Sequence, residues 1–174
     1  MSGQSSSGAM TSLLYCDPHR TSKFPIVTAS GWNRERHRSG VYLLDTNCIS
    51  ELRKIRPHGA VLSWFNAQSL DTLALPSVTI YELHSGAQRT RRQNPAKADE
   101  IAAWIESVIR SIVVLPFGTA EAHMAADFMD RKSVDLLPDA MIAATAAIYD
   151  LTLVTRNTRD FLSFPVRLLN PFIT

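Results

Sequence analysis

Asp45 directly follows a short apolar run, in Leu43-Leu44-Asp45-Thr46-Asn47. Glu82 lies early in a helical pattern, in Thr79-Ile80-Tyr81-Glu82-Leu83. Asp139 stands at the start of Asp139-Ala140-Met141-Ile142-Ala143-Ala144-Thr145, just after Pro138. Asp160 comes shortly after a further apolar run, in Thr155-Arg156-Asn157-Thr158-Arg159-Asp160-Phe161. Singly, each has an ordinary structural reading. Asp45 and Asp139 are natural helix N-caps, Glu82 a first-turn acid favoured by the helix dipole, and Asp160 a turn former. Jointly they are less comfortable. In open parallel sheets the crevice lies at the carboxyl ends of the strands, and all four acids fall where they face that edge. Carboxylates gathered there repel one another, and protons or a cation must relieve the charge.

Oxygen ligands without an accompanying His or Cys suit a hard ion, Mg²⁺ or in its place Mn²⁺. The histidines (His19, His37, His58, His84 and His123) are scattered. His84 follows Glu82 by two residues, which on a helix turns the two side chains to different faces. A Mg²⁺ ion on carboxylates serves phosphoryl transfer or phosphodiester hydrolysis, activating a water and stabilising charge on the phosphate.

The elements that must position these acids alternate in type. Strand patterns are expected at Val41–Leu44, Thr72–Leu75, Ile112–Leu115 and Leu151–Thr155, with an edge strand at Val166–Leu169. Helical patterns are expected over Asn47–Lys54, Ala60–Gln68, from Ser77 or Thr79 (either a candidate cap) to Arg91, over Ala96–Arg110, Thr119–Lys132 and Asp139–Tyr149. Strands alternating with helices mean an α/β domain with a largely parallel sheet.

Residues 1–40 differ from the rest: Ser/Gly-rich at first, then polar, basic and turn-forming, with no apolar periodicity. They read as a disordered extension, or as a start assigned too far upstream, ahead of a single domain over 41–174. Arg20, Lys23, Arg34, Arg36 and Arg38 oppose only Asp17 and Glu35 there. The net charge of +2 therefore hides a near-neutral body, which argues against electrostatic nucleic-acid binding as the main business but not against an enzyme with one basic rim. No apolar run reaches the roughly 18 residues of a membrane span. Cys16 and Cys48 match no metal or redox spacing, and a reducing cytoplasm is the natural setting.

The motifs together resemble the VapC-type toxins of the PIN-domain family. Leu43 to Glu51 is similar to their opening strand and turn, Tyr81-Glu82-Leu83-His84-Ser85-Gly86 to their second motif, Asp139 to Thr145 to their third and Thr155 to Phe161 to their last. Leu169-Asn170-Pro171 resembles their closing strand. The resemblance runs from Val41 to the C-terminus, in order. It implies a PIN fold, a central mainly parallel sheet between helices, with the carboxylates around Mg²⁺ at its top. It implies cleavage of single-stranded RNA, a cognate antitoxin that occupies the site, and a homodimer or antitoxin hetero-oligomer. Asp45 and Asp139 map onto the primary metal ligands and Glu82 onto the third acid. The fourth acid is either Asp160 or the position held here by Asn157, so the resemblance is compatible with one ion or two. Thr46 and Thr155 resemble hydroxyl residues that support the carboxylates.

Arg89, Arg91 and Arg92, at the end of the helix bearing Glu82, are candidate RNA contacts, as are Arg53, Lys54 and Arg56. Charge runs at helix C-termini are also ordinary solvated ends. Trp64, Phe65 and Trp104 read as core or dimer packing. Dehalogenase-like phosphatases place a second aspartate two residues after the first, where this chain has Asn47. A phosphotransfer receiver needs a late lysine, and no Lys follows Lys132. An inactive PIN-fold interaction module is the remaining alternative, disfavoured by the intact Asp45, Glu82 and Asp139.

Overall fold

The computed structural model describes residues 41–173; the extension expected over residues 1–40 lies outside them. Among the described residues five strands form one parallel sheet: β1 (Tyr42–Leu44), β2 (Leu73–Pro76), β3 (Val113–Leu115), β4 (Thr152–Val154) and β5 (Arg167–Leu169). Their order is β3-β2-β1-β4-β5, and every pairing is parallel. The chain winds outward from β1 to β3, then returns to the other side of β1. This makes the gap between the carboxyl ends of β1 and β4 the switch point, where such folds open a crevice.

The helices are α1 (Thr46–Glu51), α2 (Gly59–Asn66), α3 (Ser77–Arg91), α4 (Pro95–Ser111), α5 (Thr119–Phe128), α6 (Leu137–Ile148) and α7 (Thr158–Phe161). Strand side chains alternate between the two faces. Leu44, Leu73, Leu75 and Val154 join Ile49, Phe65, Trp104, Ile105 and Val108 in one core. Leu43, Ala74, Val113, Leu115 and Leu153 join Ala140, Ile142, Ala143 and Phe161 in the other. Each fully buried aliphatic or Phe side chain contributes roughly 1.5–3 kcal/mol. The small residues Ala140, Ala143, Ala144 and Ala146 are buried along α6, so that helix approaches the sheet closely.

Several boundaries differ from the sequence expectation. Helix α1 starts at Thr46 and stops at Glu51. Thr72 closes a 3₁₀ turn, Leu70–Thr72, ahead of β2. Helix α5 ends at Phe128, short of Lys132. Neither Ser77 nor Thr79 caps α3. Its N-cap is Pro76; Ser77 Oγ accepts from Phe117 N at 3.0 Å, and Thr79 is buried. Asp139 is no N-cap either. The 3₁₀ turn Val134–Leu136, capped by Ser133, runs directly into α6, so the helix opens at Leu137 and carries Asp139 inside its first turn. The short α7 follows β4, in a segment expected to be only a turn. Trp104 and Phe65 are core, and half-buried Trp64 meets Tyr42 edge-on, ring centroids 5.2 Å apart.

Candidate functional site

The switch point fixes Asp45. Its backbone N–H donates to Val154 O at 3.0 Å, continuing the pairing of β1 with β4 past the strand ends. That bond brings Thr155 beside Asp45, although the two are far apart in the chain. Thr155 Oγ1 donates to Asp45 Oδ2 at 2.7 Å, and Thr46 N donates to Asp45 Oδ1 at 2.6 Å. Asn47 Nδ2 donates to Asp45 Oδ2 as well. The expectation that Asp45 caps the short helix is met, in addition to its place in the crevice.

Asn47 does more than the sequence suggested. Its Oδ1 accepts from Arg156 N at 2.9 Å and its Nδ2 reaches Thr155 Oγ1 at 3.1 Å, tying the ends of β1 and β4 together. The spacing Asp45-x-Asn47, directly after a strand, was the available signal. Thr155 Oγ1 also accepts from Asn157 N at 3.0 Å. Thr46 Oγ1 donates to Glu82 Oε2 and lies 3.3 Å from the buried Thr79 Oγ1, which joins α1 to α3. Thr79 was also missed as a site residue; nothing in its local sequence marks it. Glu82 sits in the second turn of α3, beyond the first-turn position that would favour an acid through the dipole alone. Asp160, half-buried on α7, accepts from Asn157 Nδ2.

The charges of the other three acids reach Asp139. Burial, followed by the charges of Asp45, Asp160 and Glu82, raises the Asp139 carboxyl to about 6. The Asp45 carboxyl is also raised to about 6: burial and the Glu82 charge outweigh the opposing hydrogen bonds of Thr155, Thr46 and Asn47. Cys48, under the same edge, is buried, and burial with the Asp45 charge pushes its thiol up to about 12. It is not a nucleophile at neutral pH.

The donor set fits a hard cation. It consists of four carboxylates with hydroxyl and amide supports, and two of those carboxylates are reluctant to ionise without a counter-charge. Among the described residues no three His, Cys, Asp or Glu side chains close on one point as a finished metal cage.

Arg89 and Arg92 are exposed at the end of α3. Arg89 follows Glu82 by two helical turns, roughly 10 Å along the same face. Arg91 Nη2 instead pairs with Asp99 Oδ1 at 2.7 Å, holding α3 to α4. Lys54 is likewise paired, with Glu51. Arg156, at the crevice edge, places its guanidinium 5.0 Å from the Phe172 ring centroid.

Comparison with known proteins agrees with this architecture. VapC ribonuclease Y4jK of Sinorhizobium fredii is 34% identical over 141 residues, spanning 75% of this chain and 96% of that protein. The crystal structure of FitAcB from Neisseria gonorrhoeae matches with a TM-score of 0.66 and 30% identity, over 77% of this chain and all of that one. A toxin-antitoxin complex from Klebsiella pneumoniae matches with a TM-score of 0.53 and 25% identity, over 76% of this chain and 98% of that one. The PIN domain model matches residues 42–165. That span takes in Asp45, Glu82, Asp139 and Asp160 and the strands β1 to β4, with β5 just beyond it, and the chain belongs to the PIN-domain family.

Proposed function

We propose that the protein is a metal-dependent endoribonuclease that acts as a cytoplasmic toxin, restrained by a cognate antitoxin. The observation that carries this reading is the crevice at the ends of β1 and β4, where Thr155 and Asn47 hold Asp45 and Thr46 holds Glu82, and where the charges of Asp45, Asp160 and Glu82 all reach Asp139. A ribonuclease and a toxin-antitoxin complex among the similar proteins support the same activity and partner class.

In this reading Asp45, Asp139 and Glu82 hold Mg²⁺, or Mn²⁺ in its place, with Asp160 as the fourth acid. The bound ion would lower the pKa of a water and stabilise charge on the phosphate. The chain's own groups set the geometry. Thr155 and Asn47 orient Asp45, Thr46 orients Glu82, and Asn157 orients Asp160. Asp160 would accept the proton of a water attacking phosphorus, while the bond to the leaving ribose oxygen breaks and that oxygen takes a proton from solvent. Arg89 and Arg92, on an exposed helix end, are the candidate phosphate contacts.

An antitoxin segment bearing Arg or Lys would satisfy the same acids by charge-assisted hydrogen bonds and displace the ion. The test is RNA cleavage by the purified protein with Mg²⁺, with EDTA, and with the Asp45→Asn variant, alongside growth of cells expressing each chain without a partner gene. Mg²⁺-dependent cleavage and growth arrest, both lost in Asp45→Asn, are expected. EDTA-insensitive cleavage would overturn the metal role; high expression without growth cost would overturn the toxin role.

A further inference from the structure

Arg156 stands between two residues that hold acids of the crevice. Thr155 before it donates to Asp45, and Asn157 after it donates to Asp160. Its own backbone is held on both sides. Arg156 N donates to Asn47 Oδ1 at 2.9 Å, and Asn170 Nδ2 donates to Arg156 O at 3.4 Å. Asn47 is also a donor to Asp45, so the main chain at 156 is part of the frame of the site.

The side chain leaves that frame on the side of α1. The charges that shift Asp45 and Asp139 are all negative, while the Arg156 charge acts on Glu51 at the end of α1. The guanidinium lies over the Phe172 ring, 5.0 Å from its centroid. That ring is itself fixed. Phe172 N donates to Asn170 Oδ1 at 3.0 Å, the His58 ring lies 5.3 Å away between centroids, and Phe172 packs against the core that holds Leu44 and Ile49.

An ordinary reading makes Arg156 the partner of buried Glu51. Glu51 is already satisfied: Oε1 accepts from His58 N at 3.0 Å and Oε2 from Lys54 Nζ at 2.5 Å. Among the described residues the Arg156 guanidinium enters no ion pair, and the residue is exposed. A guanidinium carries its donors at the edges of a plane, so a ring on its face leaves them for a bidentate anion. Seating on the ring also lowers the ordering cost of binding. A strand entering a crevice of four carboxylates meets repulsion along its phosphates. A cation just outside the acids offsets that repulsion without neutralising them.

We infer that Arg156, seated on Phe172, binds the backbone phosphate of single-stranded RNA that neighbours the attacked one; this rests on the ribonuclease reading of the acid crevice. Phe172 is then a positioning residue, and Arg156 joins the exposed arginines of α3 as a contact to the strand.

The test uses the full chain and a labelled single-stranded RNA oligomer that it cleaves. Binding is read by fluorescence anisotropy in an Asp45→Asn background, from about 50 to 200 mM salt. Arg156→Gln should weaken binding about tenfold at low salt, the scale of one lost hydrogen bond to a charged group. It should also flatten the slope of log affinity against log salt by about 0.7, so that its deficit shrinks two- to threefold across this range. Arg156→Lys should keep the slope. Neutral methylphosphonate linkages are then walked through the oligomer. One linkage beside the cut should cost the Arg156 chain affinity and cost Arg156→Gln none. Arg156→Met, which keeps packing on the Phe172 ring, gives the same reading should Gln destabilise the fold. An unchanged salt slope in Arg156→Gln, with or without a lower melting temperature, would make the residue structural and overturn the contact. If RNA binding is unchanged but the variant loses its grip on a co-purified antitoxin, the guanidinium serves the protein partner and the RNA contact is wrong. In both cases RNA cleavage by the wild-type chain leaves the ribonuclease reading standing; a wild-type chain that neither binds nor cuts RNA overturns both.

Discussion

Replacing Asp139 by Asn should abolish RNA cleavage and yet make the metal-free protein more stable. The folded-state carboxyl lies at about 6 against an ordinary 3.8, raised by burial first and then by Asp45, Asp160 and Glu82. A raised acid pKa means that the folded state binds its proton more tightly than the unfolded state. The ionised form therefore destabilises the fold. The penalty is absent below about pH 4, grows through the window between the two pKa values and is complete above about pH 6.5. Two pKa units correspond to about 3 kcal/mol. Asp139 is only half-buried, so solvent screening brings this to about 1.5 kcal/mol. At 2–4 °C per kcal/mol for a chain of this size, the variant should melt about 3–6 °C above wild type at pH 7.5 in EDTA. The difference should fade as the pH falls to 4. Thermal melts of both proteins across this range, with and without Mg²⁺, check the argument. Mg²⁺ should stabilise wild type by mass action and raise the variant less. A variant no more stable at pH 7.5, or one whose advantage persists at pH 4, would refute the idea that crowded negative charge strains this edge.

Three further outcomes are expected. Glu82→Gln should lower cleavage by at least about a hundredfold, the lower end of what a positioned carboxylate contributes, with circular dichroism unchanged; near-normal turnover would remove it from the site. Thr155→Val should cost about 1–3 kcal/mol in denaturant unfolding, because Asp45 Oδ2, Asn47 Nδ2 and Asn157 N all lose the same buried hydroxyl. A chain beginning at Gly40 should keep fold and cleavage, since pairing with β4 starts at Val41, whose carbonyl accepts from Thr152 N at 3.1 Å; loss of cooperative melting in that chain would place a structural element upstream.

The acids were legible because each follows an apolar run or lies early in a helix, and the rule that parallel-sheet sites lie at carboxyl ends does not depend on strand order. Their supports were less so. Asn47 and Thr155 are 108 residues apart, and only the adjacency of β1 and β4 brings them together. No local pattern states which strands neighbour each other. Thr79 reads as a helix residue or a cap, and its contact with Thr46 depends on how α1 packs on α3. The start of α6 was misplaced for a different reason. Pro138 suits a first helical turn anywhere near its start, and the preceding 3₁₀ turn passes into the helix without a side-chain cap. Helix α7 is four residues long, too short for periodicity to declare it.

The choice of supports leaves the negative charge of this edge uncancelled. The side chains that hydrogen-bond Asp45 are Thr155 and Asn47, and the one that bonds Glu82 is Thr46; all are neutral. Neutral donors fix the direction of a carboxylate without cancelling its charge. An Arg or Lys in the same place would also orient it, but would lower its pKa and satisfy its charge within the protein. A crevice so quenched would be comfortable and would have little left to offer a cation. Here the hydrogen bonds to Asp45 pull its carboxyl down, and burial with the Glu82 charge still wins. The resulting strain has to be held by structure away from the acids. The two apolar layers on either face of the sheet, with Leu43 and Leu44 turned to opposite sides directly before Asp45, supply that hold. Stability is thus concentrated one residue below the edge where charge is left unpaired, and a ligand bringing positive charge to that edge, ion or protein, would gain binding energy from relieving it.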